Sequence, residues 1–277
     1  MLSDVLDLLR CPHCAAALAP ARGAVACPEG HSFDVARQGY VSLLTGDAQL
    51  GSADTADMVA AREAFLAAGH FEPLAEALCD EVDRALPGCV IDLGAGTGWY
   101  LARVLDRLPG RQGLALDLSK HALRRAARAH ARIGAVACDA WRRLPVRDDV
   151  AALVLSVFAP RDGAEIARVL RPGGALHVVT PTAAHLGRLV SALGLLTVDA
   201  RKQERLEAKL DPHVELERRA AVEWPLALAR ADVANAVAMG PSARHVDRAE
   251  LDAQIAQLPQ PFEVTASVTI SVYQRPS

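Results

Sequence analysis

The sequence predicts an α/β protein, a parallel sheet covered by helices on both faces and preceded by a small metal-binding module. Three observations carry this. Short apolar runs alternate with helical periodicities from residue 89 to residue 180, a glycine-rich turn joins the first run to a helix, and Cys and His residues cluster in the first 31 positions. The chain has 277 residues, 51% of them hydrophobic and 23% charged, which suits one large domain plus a small module. Thirty Lys/Arg against 33 Asp/Glu give a net charge of −3, which excludes a tail-driven polycation but not a local basic surface. No run of 18 apolar residues exists, and the first residues are acidic where a secretion signal would be basic. These features predict a cytoplasmic protein, where clustered cysteines favour metal over disulfide.

Residues 1–45 are rich in Cys, Gly and Pro and are read as the metal-binding module. Residues 46–72 are a linker and connecting helix, and 73–277 form the main domain. Met58, Ala61, Phe65 and Leu66, then Leu74, Ala77, Leu78 and Val82, recur at helical spacing until Pro87-Gly88. Cys89–Leu93 is a run of strand length. Leu114–Leu118 reads as a second strand, Ser119–Arg132 as a helix with Ser119 as N-cap, Ile133–Cys138 as a third strand and Val150–Phe158 as a fourth. Ala164–Leu170 is a helix ended by Arg171-Pro-Gly-Gly174, and Ala175–Thr180 is the fifth strand. Beyond Pro181 the pattern predicts a helix through Val190, a charged stretch over 199–220 and a strand around 222–228. Helices follow near 231–238 and 247–257, with a late edge strand over Phe262–Tyr273.

Cys11-Pro-His-Cys14, twelve residues, Cys27, three residues, His31 has the spacing of a zinc knuckle. Scattered buried cysteines with a surface histidine are the plain alternative. Four protein ligands leave no open position, so the expected zinc is structural. His13, between two ligating cysteines, is expected to point away.

Val90-Ile-Asp-Leu-Gly-Ala-Gly-Thr-Gly-Trp-Tyr100 places Asp92, Gly94, Gly96 and Gly98 between a strand and a helix start whose free N–H groups suit an anionic group. Asp117 ends the second strand, where it can accept ribose hydroxyls. Asp139, followed by Ala140, ends the third, beside an adenine amino group. A nicotinamide fingerprint needs its third glycine one place later, where Trp99 stands. An ammonium-bearing ligand uses Asp92, and S-adenosylmethionine has that ammonium. Tight turns with exposed aspartates are the alternative.

CPHC…CPEGHSFDVARQGYVSLL, DMVAAREAFLAAGHFEPL, DLGAGTGWY, LALDLSKHALRRAAR and TPTAAHL, in this order, resemble the RlmA family of 23S rRNA (guanine-N1)-methyltransferases. VFAPR (157–161) and AMGPSARH (238–245) are nearer its actinobacterial, macrolide-resistance branch. The resemblance implies a zinc-ribbon-like module ahead of a class I (Rossmann-like) S-adenosylmethionine-dependent methyltransferase domain. It also implies a homodimer and a target guanine in a domain II stem-loop of 23S rRNA. By position it makes Cys11, Cys14, Cys27 and His31 the zinc ligands and puts Phe71, Trp99, Tyr100 and His185 beside the cofactor. Phe71 stands where enterobacterial members carry tyrosine. Core packing for Phe71, helix packing for Trp99 and an internally bonded His185 remain equal alternatives.

A stem-loop guanine has to be turned out of its stack, and Ser156–Pro160 is the candidate pocket wall. Phe158 would stack on the base, Pro160 would stiffen the loop and Arg161 would steady a deprotonated guanine O6; a buried strand-end Phe158 is the alternative. No residue is singled out as general base. Residues 111–147 hold nine Lys/Arg against Asp117 and Asp139, a local charge of +7, and Arg124, Arg125 and Arg128 are candidate RNA contacts. A merely solvated basic helix face competes with that reading. A small-molecule methyltransferase and a non-catalytic cofactor- or RNA-binding regulator are the competing functions.

Overall fold

The computed structural model describes residues 1–46, 48, 51, 53–82, 86–196, 208–240, 242 and 248–276. The chain opens with a 3-10 helix, Leu2–Leu8, and a three-stranded antiparallel sheet of β1 (Ala19–Ala21), β2 (Ala24–Ala26) and β3 (Ser32–Asp34). The next strand, β4 (Tyr40–Ser42), leaves that sheet and pairs in parallel with β7 (Ile133–Ala137) of the main domain. Among the described residues the main sheet therefore has eight strands, in the order β10-β11-β9-β8-β5-β6-β7-β4. Its parallel core is β5 (Cys89–Leu93), β6 (Gly113–Asp117), β7, β8 (Ala151–Val157) and β9 (Leu170–Pro181). All five β5 residues and all seven β8 residues are buried, as expected of strands with helices on both faces. Strand order reverses between β5 and β8, and the crevice beyond the carboxyl ends of such strands is where ligands bind in open α/β sheets.

The helices are α1 (Ala56–Ala67), α2 (Glu72–Val82), α3 (Trp99–Arg107), α4 (Lys120–Ala129), α5 (Gly163–Val169), α6 (Gly187–Leu193), α7 (Arg230–Ala238) and α8 (Arg248–Ala256). Ser119 caps α4, accepting the Ala122 N–H at 3.4 Å, as its sequence position predicts. Thr55 and Asp162 cap α1 and α5 in the same way.

The zinc-module side and the main sheet share one core. Val5, Leu9, Val25, Val41 and Leu43 lie in one cluster with Ile91, Leu93, Leu114, Leu116 and Val136. Close approach is demanded at Gly134, where a Cβ would stand 2.2 Å from Val5 Cγ2. The backbone continues the join: Arg10 N–H donates to Pro145 O and Arg147 N–H to Leu8 O.

Three expectations need correction. Phe262–Tyr273 is no edge strand: β11 (Phe262–Gln274) is interior, paired antiparallel with β9 on one side and β10 on the other. The edge is β10 (Glu215–Leu228), longer than the apolar run 222–228, because its first seven residues face solvent and read as charged sequence. Third, β9 begins at Leu170, and Arg171–Gly174 is a register irregularity inside the strand, with Gly173 at φ +74°. Of the charged stretch expected over 199–220, residues up to 207 lie outside the described residues, as do 241 and 243–245 of AMGPSARH.

Candidate functional site

The metal centre is assembled by two turns. Cys11–Ala15 closes through Ala15 N–H to Cys11 O, with Ala15 at φ +61°, and Cys27–His31 closes through Gly30 N–H to Cys27 O. These bring Cys11, Cys14 and Cys27 Sγ and the His31 ring nitrogen within 4.8 Å of one another. Separations are 3.6 Å for Cys14 Sγ–Cys27 Sγ and 3.5 and 3.3 Å from His31 Nδ1 to the Cys11 and Cys27 sulfurs. A tetrahedral zinc with bonds of about 2.1–2.3 Å requires ligand atoms about 3.5–3.8 Å apart, so donor set and spacing fit zinc with all four positions filled. His13 stays outside this set; its ring lies 4.9 Å from that of His31 and stacks on Phe33 at 5.9 Å.

The cofactor crevice lies at the carboxyl ends of β5, β6 and β7. Gly94, Gly96 and Gly98 all have positive φ, so the chain turns there as only glycine does without strain. A Cβ on Gly94 would sit 2.6 Å from Ala159 Cβ, which packs the loop after β8 directly against the glycine turn. Asp117 fastens the turn: Oδ2 accepts Gly96 N–H at 2.8 Å and Oδ1 accepts Ser119 N–H at 2.7 Å. Asp92 is only 2% exposed, and burial, with the neighbouring Asp117 charge, pushes its pKa well above the carboxylate range. Burial also raises Asp117, against the two N–H donors. A cationic ligand group would relieve buried Asp92 and its half-buried neighbour Asp117. Tyr100 places a buried hydroxyl without a protein partner in the same region. The crevice therefore offers acids for an ammonium and a ribose, a glycine cradle and an unsatisfied hydroxyl, which fits S-adenosylmethionine. Asp139 and Ala140 are half-buried at the next strand end, with Asp139 Oδ1 accepting Trp141 N–H at 3.0 Å.

Two residues of this crevice were missed by sequence reasoning. Arg62 of α1 brings a guanidinium nitrogen to 3.4 Å from where a Gly96 Cβ would stand, and it pairs with Asp54 and donates to Met239 O at 2.9 Å. Asp54 O in turn accepts the Ser119 hydroxyl at 2.7 Å. They come from the segment read as a linker and connecting helix, and only a contact across the fold reveals them.

Phe71, Phe158, His185 and Trp224 form an aromatic wall with ring centroids 5.5–6.2 Å apart. Phe71 is buried, and the loop before it is pinned by Trp224 Nε1–H donating to His70 O at 2.8 Å. His185 Nδ1 lies 3.0 Å from Ser267 O, and burial pushes its pKa down to about 4. Trp99 lies under the Arg103 guanidinium at 3.5 Å and edge-on to Tyr100. Phe158 is 42% exposed at φ +55°, so it is not the buried strand-end ring of the alternative reading. A non-glycine residue held there at the end of a central strand is strained backbone of the kind that collects at functional sites.

The structure does not place every RNA candidate at the surface. Arg161 is 3% exposed and folds back on Ala159 O, so it is not presented to solvent. Arg125 pairs with Glu63 of α1 at 2.7 Å and Arg124 is half-buried, whereas Arg128 is exposed and Pro160 half-buried. The expected uniform basic face of α4 is broken because α1 packs beside it.

Comparison with known proteins matches residues 9–47 to the family "RlmA, N-terminal" and residues 90–174 to a "Methyltransferase domain". The 23S rRNA (guanine(748)-N(1))-methyltransferase of Streptomyces fradiae is 51% identical over 276 residues, covering 98% of each chain. A Micromonospora griseorubida protein, named for guanine-N1 methylation of 23S rRNA without a position, is also 51% identical and covers 99% of each. Among solved structures, the YcgJ protein of Bacillus subtilis superposes with a TM-score of 0.52 at 15% identity, covering 75% of this chain and all of that one, which supports the fold alone. With the zinc ribbon, the methyltransferase sheet and near-full-length identity in agreement, this chain belongs to the RlmA-type family of 23S rRNA (guanine-N1)-methyltransferases.

Proposed function

We propose that this chain methylates N1 of a domain II stem-loop guanine of 23S rRNA, the counterpart of the position named for the S. fradiae relative. The observation that carries the reading is the set of three acids at the ends of β5, β6 and β7 around the glycine turn, next to a strained, exposed Phe158. Bound S-adenosylmethionine supplies an electrophilic methyl on a sulfonium.

The protein's part is to hold two partners in line. Asp92 takes the ammonium end and Asp117 the ribose hydroxyls, while Asp139 and Ala140 border the adenine. Gly94, Gly96 and Gly98 let the backbone approach the ligand, and Trp99 and Tyr100 flank its methionine part. Across the crevice Phe158 stacks on the turned-out guanine, on a loop stiffened by Pro160. Phe71 and a neutral His185 back that ring, and an aromatic wall excludes water from the methyl. Arg128, exposed on α4, meets RNA phosphate in this reading, with half-buried Arg124 and Arg125 as secondary contacts. The zinc module (1–45) braces the sheet through β4, Asp54 and Arg62 of the segment 46–72 stand over the glycine turn, and 73–277 carries the chemistry.

The same reading makes the protein a cytoplasmic homodimer that protects ribosomes from macrolides of the tylosin type. Among the described residues no helix is long and apolar enough to cross a membrane. Incubation with labelled cofactor and protein-free 23S RNA tests the activity. N1 methylation blocks the pairing edge, so label and a reverse-transcription stop at the same guanine are expected. Label on a low-molecular-weight acceptor and none on RNA would instead favour a small-molecule methyltransferase.

A further inference from the structure

The geometry points to Trp141, followed by Arg142 and Arg143 on a turn beside the zinc knuckle, as a stacking platform for an unpaired nucleotide of the RNA substrate. This rests on the RNA-methyltransferase reading above and adds a recognition site to it.

Trp141 is 53% exposed in a chain where only 4% of residues are aromatic, and it is followed directly by two exposed arginines. The backbone that carries it is held in a defined turn. Asp139 holds the turn beneath it, accepting Trp141 N–H at Oδ1 and Arg142 N–H at its backbone carbonyl, both at 3.0 Å. Residues on either side of Trp141 in this turn line a cavity of about 250 Å³ whose walls come from two parts of the chain. Pro12 of the zinc knuckle and Leu44 and Thr45 after β4 form one side; Asp139, Arg142 and Arg143 form the other.

An exposed indole next to arginines is the combination that binds unstacked bases: the ring supplies a sequence-tolerant face and the guanidiniums take the phosphates. Self-association is the less favourable occupant, because an isologous contact across this patch would bring Arg142 and Arg143 of both copies together. The platform lies on the segment that leaves β7, so the turn holding Asp139 for the cofactor also holds the ring for RNA.

The test uses the full-length zinc-loaded protein and a fluorescein-labelled stem-loop containing the target guanine. Trp141→Ala should weaken RNA binding by anisotropy by about 5- to 150-fold, the range for loss of one stacked base. It should raise KM for RNA, leave kcat at saturating RNA within about twofold and leave S-adenosylhomocysteine affinity unchanged. Trp141→Phe should restore most of the affinity. In R142A/R143A the slope of log affinity against log salt should flatten by about 1.4. Unchanged RNA affinity in Trp141→Ala overturns the platform, and so does an altered oligomeric state with RNA affinity intact, which would assign the ring to a second copy. Anisotropy reads the platform without turnover, so a parent protein that binds RNA but does not methylate it would sink the functional reading alone.

Discussion

Adding one methyl group at Gly94 should damage the cofactor site by an amount that can be split into two parts. The residue sits at φ +65°, a left-handed conformation that costs an L-residue about 1–2 kcal/mol. Its new Cβ would lie 2.6 Å from Ala159 Cβ, far inside the carbon–carbon optimum of about 3.5–4.0 Å. Overpacking of this kind costs about 1–3 kcal/mol. Gly94→Ala should therefore destabilise the crevice by about 2–5 kcal/mol in all. Whatever part is met by moving the 158–160 loop will appear as lost cofactor and RNA affinity, tenfold for each 1.4 kcal/mol. Ala159→Gly removes the steric part but not the backbone part. The double variant should recover about 1–3 kcal/mol of the single variant's loss, and Ala159→Gly alone should cost much less. Thermal unfolding with and without S-adenosylhomocysteine, and calorimetric titration of the same four proteins, measure the coupling. Strict additivity of the two substitutions, or unaltered cofactor affinity in Gly94→Ala, would refute the packing of the β8 loop on the glycine turn.

Asp92 and Asp117 give a pH prediction. A carboxyl whose folded pKa is raised makes the ligand-free protein lose stability as pH climbs from the unfolded value near 4 through the folded one, and binding an ammonium reverses that cost. Cofactor uptake should thus release protons and tighten with pH in that window, an effect that D92N reduces while weakening binding by roughly 10- to 150-fold. Chelation of zinc should lower the unfolding temperature of the whole chain, since Cys11 and Cys27 share a core with Ile91 and Leu116; loss of signal confined to residues 1–45 would contradict that coupling. His185, held down to about 4, should stay neutral by NMR from pH 5.5 to 8, so the pH–rate profile should keep its shape in H185Q. A limb near 6.5 that vanishes in that variant would disprove it.

What could be read from the chain is what local spacing encodes. The Cys/His quartet, the Ser119 cap, the glycine turn and the acids ending β5, β6 and β7 are each set by residues within a few positions of one another. What escaped depends on distant partners. The β4–β7 pairing joins residues about ninety positions apart, and the covering of Gly96 by Arg62 depends on how α1 folds back over the crevice. Period two along Phe262–Gln274 announces a strand but says nothing about neighbours, and β10, its outer partner, is disguised by Glu215, Glu217, Arg218 and Arg219. Charge alone likewise overstated α4, where Glu63 claims Arg125.

Titration of the purified protein with S-adenosylhomocysteine and, separately, with NADH asks most directly what ligand the crevice was built for. Saturable one-to-one uptake of S-adenosylhomocysteine, weakened in D92N, with no heat from NADH, is the predicted outcome. Uptake of NADH with indifference to S-adenosylhomocysteine would contradict the assignment of the three strand-end acids.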